Sequence, residues 1–301
     1  MNKRISLNAC ATFNLNHPMR PARLVLAAVC CTLLATSGCA LLDAKQREWI
    51  FQPSQRSWQN ADMSGMEDIW IAFDSRLSGE AVRLHALWLP ANQADAPVLL
   101  YLHGARWNVA GSSQRIRRMQ SLGFSVLAID YRGFGQSSAG LPSEQLAIED
   151  ARAAWDWLAG QHPRKDRYLF GHSLGGAIAI ALASEVDDER GTLVEGTFSR
   201  MTDVIGSMRW GWLPVGPFIT QTFDSQERVA RIGSPLLVVH GSSDRLIPSA
   251  LGKQLYAAAQ SPKRWVLIEG GSHHNTNAIG LPQYRVALQE LFDLPAAASA
   301  P

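Results

Sequence analysis

Cysteine is missing from most of the chain. All four cysteines (Cys10, Cys30, Cys31, Cys39) stand in the first 39 residues. A chain that begins at Cys39 can form no internal disulfide and no thiolate metal site, and must rely on an apolar core. Charge excess is missing too. Lys and Arg number 28 against 26 Asp and Glu, a net charge of +2, which leaves no basic footprint for nucleic acid. The apolar run from Leu24 to Ala35 spans about 12 residues, too short to cross a bilayer. There are no internal repeats. What remains is ordinary globular material, 47% hydrophobic and 18% charged, enough for one sizeable core that a single α/β domain can nearly fill.

Residues 1–38 differ from the rest. Lys3, Arg4, Arg20 and Arg23 are basic, and no acidic residue precedes Asp43. The apolar run follows, then Thr36-Ser37-Gly38-Cys39. Basic region, short apolar core and small residues read as a secretory signal. A cysteine directly after Ser-Gly resembles a bacterial lipoprotein signal, although Thr36 stands where Leu is usual. The resemblance implies that Cys39 is lipidated and becomes the first mature residue. Ala40 after it resembles outer-membrane sorting, so the expected location is the cell envelope, on the periplasmic side of the outer membrane. A transmembrane anchor and a plain cleaved signal are the alternatives. Met19-Arg20-Pro21-Ala22-Arg23 makes a more natural signal start than the polar residues 1–18, so translation from Met19 is a second expectation. Removing the four basic groups of residues 1–38 from the total of 28 leaves 24 against 26 acidic groups. Membrane attachment is then expected through lipid, not through a polybasic face.

Residues 39–67 are a polar, Trp-dotted lead-in, with Trp49, Ile50, Phe51 and Trp58 expected to pack on the domain surface. The main domain is expected over 68–293, and 294–301 as a frayed Ala/Pro tail. Ile69 to Phe73 and Val82 to Leu89 read as the first two strands, the second alternating and half-buried, with His85 a surface or satisfied histidine. Val98 to Leu102 is a continuous apolar run, which marks a strand buried on both faces. Strand and helix then alternate: strands at Phe124 to Ile129, Tyr168 to Phe170, Thr192 to Val194, Pro235 to Val239 and Trp265 to Ile268, with helices at Ser112 to Leu122, Ser143 to Leu158, Ser249 to Ala259 and Gln283 to Phe292. This order predicts a mostly parallel sheet with helices on both faces. About 198–231 interrupts the rhythm with Trp210, Trp212, Pro214, Pro217 and Phe218, and is expected to form a short cap; a surface excursion is the alternative.

The chain is organised around Tyr168-Leu169-Phe170-Gly171-His172-Ser173-Leu174-Gly175-Gly176. A strand runs through a sharp turn into an Ala/Ile-rich helix, and Gly-x-Ser-x-Gly at that junction lifts a serine hydroxyl clear of the backbone. A serine hydroxyl needs a base, a group to orient the base, and donors for an oxyanion. In a parallel sheet these should follow the carboxyl ends of strands. Asp244 follows the penultimate strand and His273 the last, so the order is Ser173, Asp244, His273. His274 competes for the base. The His-His pair has no neighbouring Cys or Glu/His spacing for zinc, and no metal or cofactor is implied. Backbone amides of Ala105, after His103-Gly104, and Leu174, after Ser173, are the expected oxyanion donors. His103 is expected to brace that loop. Arg106, Trp107 and His172 border the substrate; Arg106 is either a contact for a carboxylate or phosphate or a solvated arginine.

His103-Gly104, Asp130-Tyr131-Arg132-Gly133-Phe134-Gly135-Gln136-Ser137, Gly171-His172-Ser173-Leu174-Gly175-Gly176, His240-Gly241-Ser242-Ser243-Asp244 and His273 together resemble the α/β-hydrolase superfamily, in the branch of serine-aminopeptidase-like and depalmitoylase-like hydrolases. The resemblance covers roughly 68–293. It implies an α/β-hydrolase fold and a serine hydrolase cleaving a carboxyl ester or thioester of a small-molecule or lipid-like substrate through an acyl-enzyme. Ala105-Arg106-Trp107 departs from the smaller or Asn/Gly residues common there, which leaves the acyl-pocket shape open. A peptidase removing N-terminal residues is an alternative, with Glu195 the candidate for the substrate amine or else a structural carboxylate. A catalytically silent tethered module, or a membrane-surface scaffold using Trp210 to Phe218, is another. Nothing in the sequence speaks to oligomeric state.

Overall fold

The computed structural model describes residues 38–56, 61–208 and 211–294. Nearly all of the expected signal, Trp58, Trp210 and nearly all of the expected tail lie outside the described residues. The chain divides into a unit of residues 1–42 and a compact unit, Asp43–Pro301, which holds the fold and the site.

Eight strands form one sheet: β1 (Glu67–Asp74), β2 (Ala81–Leu89), β3 (Val98–Leu102), β4 (Ser125–Ile129), β5 (Arg167–His172), β6 (Gly191–Glu195), β7 (Leu236–Gly241) and β8 (Lys263–Ile268). Their spatial order is β1-β2-β4-β3-β5-β6-β7-β8. β1 pairs antiparallel with β2, and β2 with β4; every later pair is parallel. β3, β4 and β7 are buried along their whole length, as continuous apolar runs in a sheet covered on both faces must be.

The strand period of two splits the core between the faces. Leu100 and Leu102 point into one cluster, Leu99 and Tyr101 into the other. The first face is covered by α3 (Glu144–Gln161), α4 (Leu174–Ala183) and α7 (Ser249–Ala258), through Ala151, Leu158, Ile178 and Leu255. The second is covered by α2 (Ser113–Ser121) and α9 (Leu281–Phe292), through Ile116, Met119, Tyr284 and Leu288. Between β6 and β7 run α5 (Met201–Ser207), a short 3₁₀ turn at Gly216–Phe218 and α6 (Ser225–Val229). α8 (Thr276–Ile279) leads into α9.

Two elements depart from expectation. β2 is not half-buried by alternation: His85, Leu87 and Leu89 are buried as well as Val82, Leu84 and Ala86, because β1 and β4 flank it and both faces are covered. The lead-in is a helix, α1, running over 38–51. Its Phe51 is fully buried against Phe134 and Phe223 and so belongs to the core, whereas Trp49 is half exposed.

The sheet order reverses around β3, whose chain continues to β4 on one side while β5 continues to β6 on the other. Such a switch point opens a crevice at the carboxyl ends of the strands.

Candidate active site

β5 ends at His172 and α4 begins at Leu174, so Ser173 alone makes the turn. Its φ of 56° with ψ of −123° is strained for any residue with a Cβ. The glycines around it are steric requirements. A Cβ on Gly171 would stand 2.2 Å from the Gly175 carbonyl oxygen, and one on Gly175 would stand 2.1 Å from that of Leu102. The strain is held by hydrogen bonds on both sides of the peptide: Ser173 N–H donates to Glu195 O, and the Ser173 carbonyl accepts from Gly176 N–H and the Thr197 hydroxyl.

The loops after β7 and β8 bring two more groups to this turn. His273 Nε2 lies 3.0 Å from Ser173 Oγ, and its Nδ1 lies 2.8 Å from Asp244 Oδ2. The other Asp244 oxygen accepts 2.9 Å bonds from the amides of Leu246 and Ile247. Burial opposes the charge on Asp244, but bonds from His240 and His273 and the backbone amide outweigh it and hold the carboxyl well below its ordinary range. His274 is exposed and its ring stands edge-on to His273, so the structure brings His273 and not His274 to the serine.

His103 follows β3 and is buried between Tyr131 and Phe134. Its Nδ1 is 2.7 Å from the Gly104 carbonyl, and its Nε2 is 3.4 Å from Asp130 Oδ1. Asp130 also takes the Val109 amide at 2.6 Å and His85 Nδ1 at 3.3 Å. The Gly104 carbonyl and the Ala105 N–H share one trans peptide plane and point oppositely. Pinning that carbonyl on His103 therefore fixes the direction of the Ala105 N–H. Leu174 opens α4 and so has no helical acceptor for its own N–H. Gly104 lets this loop approach, since a Cβ there would be 3.0 Å from Ser173 Cβ. Arg106 and Trp107 follow at φ of 68° and 61°, both exposed.

His172 is buried beneath. Its Nε2 is 3.0 Å from the His273 carbonyl, and its ring lies 4.9 Å from that of His273. Burial first, and then the charge of Arg115, push its imidazole well below the ordinary value, so it is neutral and donates through Nε2. Glu195, the candidate for a substrate amine, is fully buried. It accepts from Arg115 Nη2 at 2.8 Å and from the Tyr284 hydroxyl, and it is not among the residues lining the cleft beside Ser173. Arg115 itself escaped sequence reasoning. Ser173, His273, His172, His103, Arg115 and His274 border a cleft of about 520 Å³, which Asp244 and Glu195 do not line but support through His273 and Arg115.

The family described as "Serine aminopeptidase, S33" matches residues 93–213. The α/β hydrolase domain-containing protein WAV2 of Arabidopsis thaliana is 31% identical over 230 residues, covering 70% of this chain and 73% of that one. The chain belongs to the α/β-hydrolase family. The lysophosphatidylserine lipase ABHD12 of Danio rerio is 32% identical, over 64% of this hydrolase and 56% of the fish protein. Among solved structures, the Pyrococcus furiosus esterase Pf2001 superposes with a TM-score of 0.63 at 20% identity, covering 80% of this chain and 98% of the esterase, a likeness of fold. The chain is a hydrolase of the α/β-hydrolase fold.

Proposed function

We propose that this hydrolase cleaves a carboxyl ester or thioester of an amphiphilic acyl substrate by a Ser173-His273-Asp244 triad. The observation that carries this is the contact chain from Ser173 Oγ through His273 to Asp244, at 3.0 and 2.8 Å. Ser173 Oγ attacks the acyl carbon while His273 Nε2 takes its proton. Asp244 holds the Nδ1–H tautomer and steadies the imidazolium. Amides of Ala105 and Leu174 receive the oxyanion. The carbon–oxygen or carbon–sulfur bond to the leaving group breaks, and His273 gives that group the proton. Water, deprotonated by His273, attacks the acyl-enzyme and releases the acid and free Ser173. The lipase relative supports a lipid-like acyl group. The aminopeptidase alternative lacks a carboxylate for the substrate amine, because no Asp or Glu lines the cleft among the described residues.

Residues 198–231 act as a short cap, since Phe198, Met201, Val204 and Met208 border the cleft from that segment. The enzyme is exported and held at the membrane by lipid on Cys39, which is exposed. Exposed Trp49, Trp107, Met208 and Leu246 at the cleft, with Trp212 and Phe218 on the cap, suit a mouth that faces lipid.

The test compares acyl nitrophenyl esters with aminoacyl nitroanilides, using the full chain and Ser173→Ala. Ester turnover falls at least about 10³-fold in the variant, and a fluorophosphonate labels only the unsubstituted enzyme. Preference for nitroanilides moves the enzyme to the peptidase reading; absence of both turnover and labelling ends the triad reading.

A further inference from the structure

The cleft has two chemically different walls, rooted in opposite faces of the sheet. Phe198, Met201, Val204 and Ile247 grow from the core under α3, α4 and α7 and make an apolar wall. The other wall carries Arg106, Ser112, Arg115, His172 and His274, contributed by the loop after β3, by α2 and by the segments before α4 and α8. No carboxylate joins them among the described residues, and the stretches outside those residues contain no Asp or Glu.

Arg115 is the deepest cation on this wall. Its side chain is 11% exposed, its Nη2 is bonded to Glu195, and its Nε has no partner among the described residues. Glu195 is the one carboxylate within reach, and it is shared with the Tyr284 hydroxyl. Arg106 has no carboxylate partner among the described residues. Arg118, one helical turn from Arg115, adds like charge: burial and the Arg115 charge both pull it below the ordinary guanidinium value. The histidines respond to the same field. Burial, then His273 and Arg115, hold His274 below its ordinary value, as burial and Arg115 hold His172. Two arginines of the cleft, Arg106 and Arg115, against the single carboxylate of Glu195 leave a positive site with spare N–H donors. Guanidinium groups in such a setting select carboxylate or phosphate.

We propose that Arg115 and Arg106 bind an anionic group, a carboxylate or a phosphate, on the leaving-group side of the substrate, while the acyl chain lies on the apolar wall. This rests on the serine-hydrolase reading and narrows its substrates to esters of an anionic alcohol.

The test uses the full chain and three lauroyl esters in mixed micelles: of glycerol, of glycerol 3-phosphate and of lactate. The expected result is a kcat/KM for an anionic ester about tenfold or more above that for the neutral one, the size of a charge-assisted hydrogen bond. Whichever of the phosphate and carboxylate esters leads identifies the anion. Arg115→Gln is combined with Glu195→Gln so that no buried carboxylate is stranded. That pair, and separately Arg106→Asn, each lower the anionic-to-neutral ratio about tenfold, chiefly through KM. Asn tolerates the left-handed backbone at Arg106, which keeps the test decisive if the buried pair does not fold. Equal turnover of all three esters, or a ratio unmoved in the folded variants, overturns the anion site and leaves the hydrolase reading intact. Failure of every ester together with failed fluorophosphonate labelling overturns both.

Discussion

His103 has one nitrogen on the Gly104 carbonyl and the other facing Asp130. It fixes the peptide whose far side carries the Ala105 N–H. His103→Ala should therefore lower kcat by about 10²-fold, as loss of one oxyanion donor does, with KM little changed. His103→Asn, which can still donate to Gly104 O, should recover part of the loss. A fall in KM-limited turnover with kcat intact, or no recovery in the Asn variant, would reduce His103 to packing. Ser173, Asp244 and His273 were legible in the sequence because each stands at a strand end marked by local pattern. Arg115 was not. Three arginines share α2 (Arg115, Arg117, Arg118), and a polar helix face does not say which of them turns inward. Glu195 was legible as a position after β6 but not as a partner, since its Arg115 and Tyr284 contacts are 80 and 89 residues distant.

At the scale of elements, the parallel strands were read correctly because burial on both faces writes continuous apolar runs. α1 was missed for the opposite reason. Phe51 is a single aromatic in a polar stretch, with no period around it, yet it is fully buried between Phe134 and Phe223. Its carbonyl also takes the Arg106 amide at 2.8 Å, so α1 fastens the loop that carries Ala105. Phe51→Ala removes a core ring and should cost about 3–5 kcal/mol in urea unfolding, with the slope unchanged. A cost below about 1 kcal/mol would mean that α1 is only laid on the surface, as the sequence alone suggested.

Within the compact unit, Asp43–Pro301, the start of the chain meets the segment after β6. Gln46 of α1 donates to the Phe218 carbonyl at 2.7 Å and accepts from the Thr220 amide at 2.9 Å, and Asp43 accepts from the Thr220 hydroxyl at 2.7 Å. The start of the compact unit is thus tied to the segment proposed as a cap, which exposes Trp212, Leu213 and Phe218. Among the described residues no helix is long and apolar enough to cross a membrane. On the proposed lipid anchor at Cys39, attachment comes from lipid and from such side chains. One acyl chain gives only weak, reversible binding, and burying an exposed aromatic adds about 2 kcal/mol. The two contributions should be separable. Full-length enzyme should stay with membranes through a high-salt wash, and Cys39→Ser should be released. Adding Trp212→Ser and Phe218→Ser to Cys39→Ser should weaken the residual partition into vesicles by a further factor of about 10² or more, two aromatic burials at this scale. If Cys39→Ser stays membrane-bound, the lipid anchor is wrong. If the cap substitutions leave vesicle partition unchanged, the mouth of the cleft does not face lipid, and its substrates must reach it from solution.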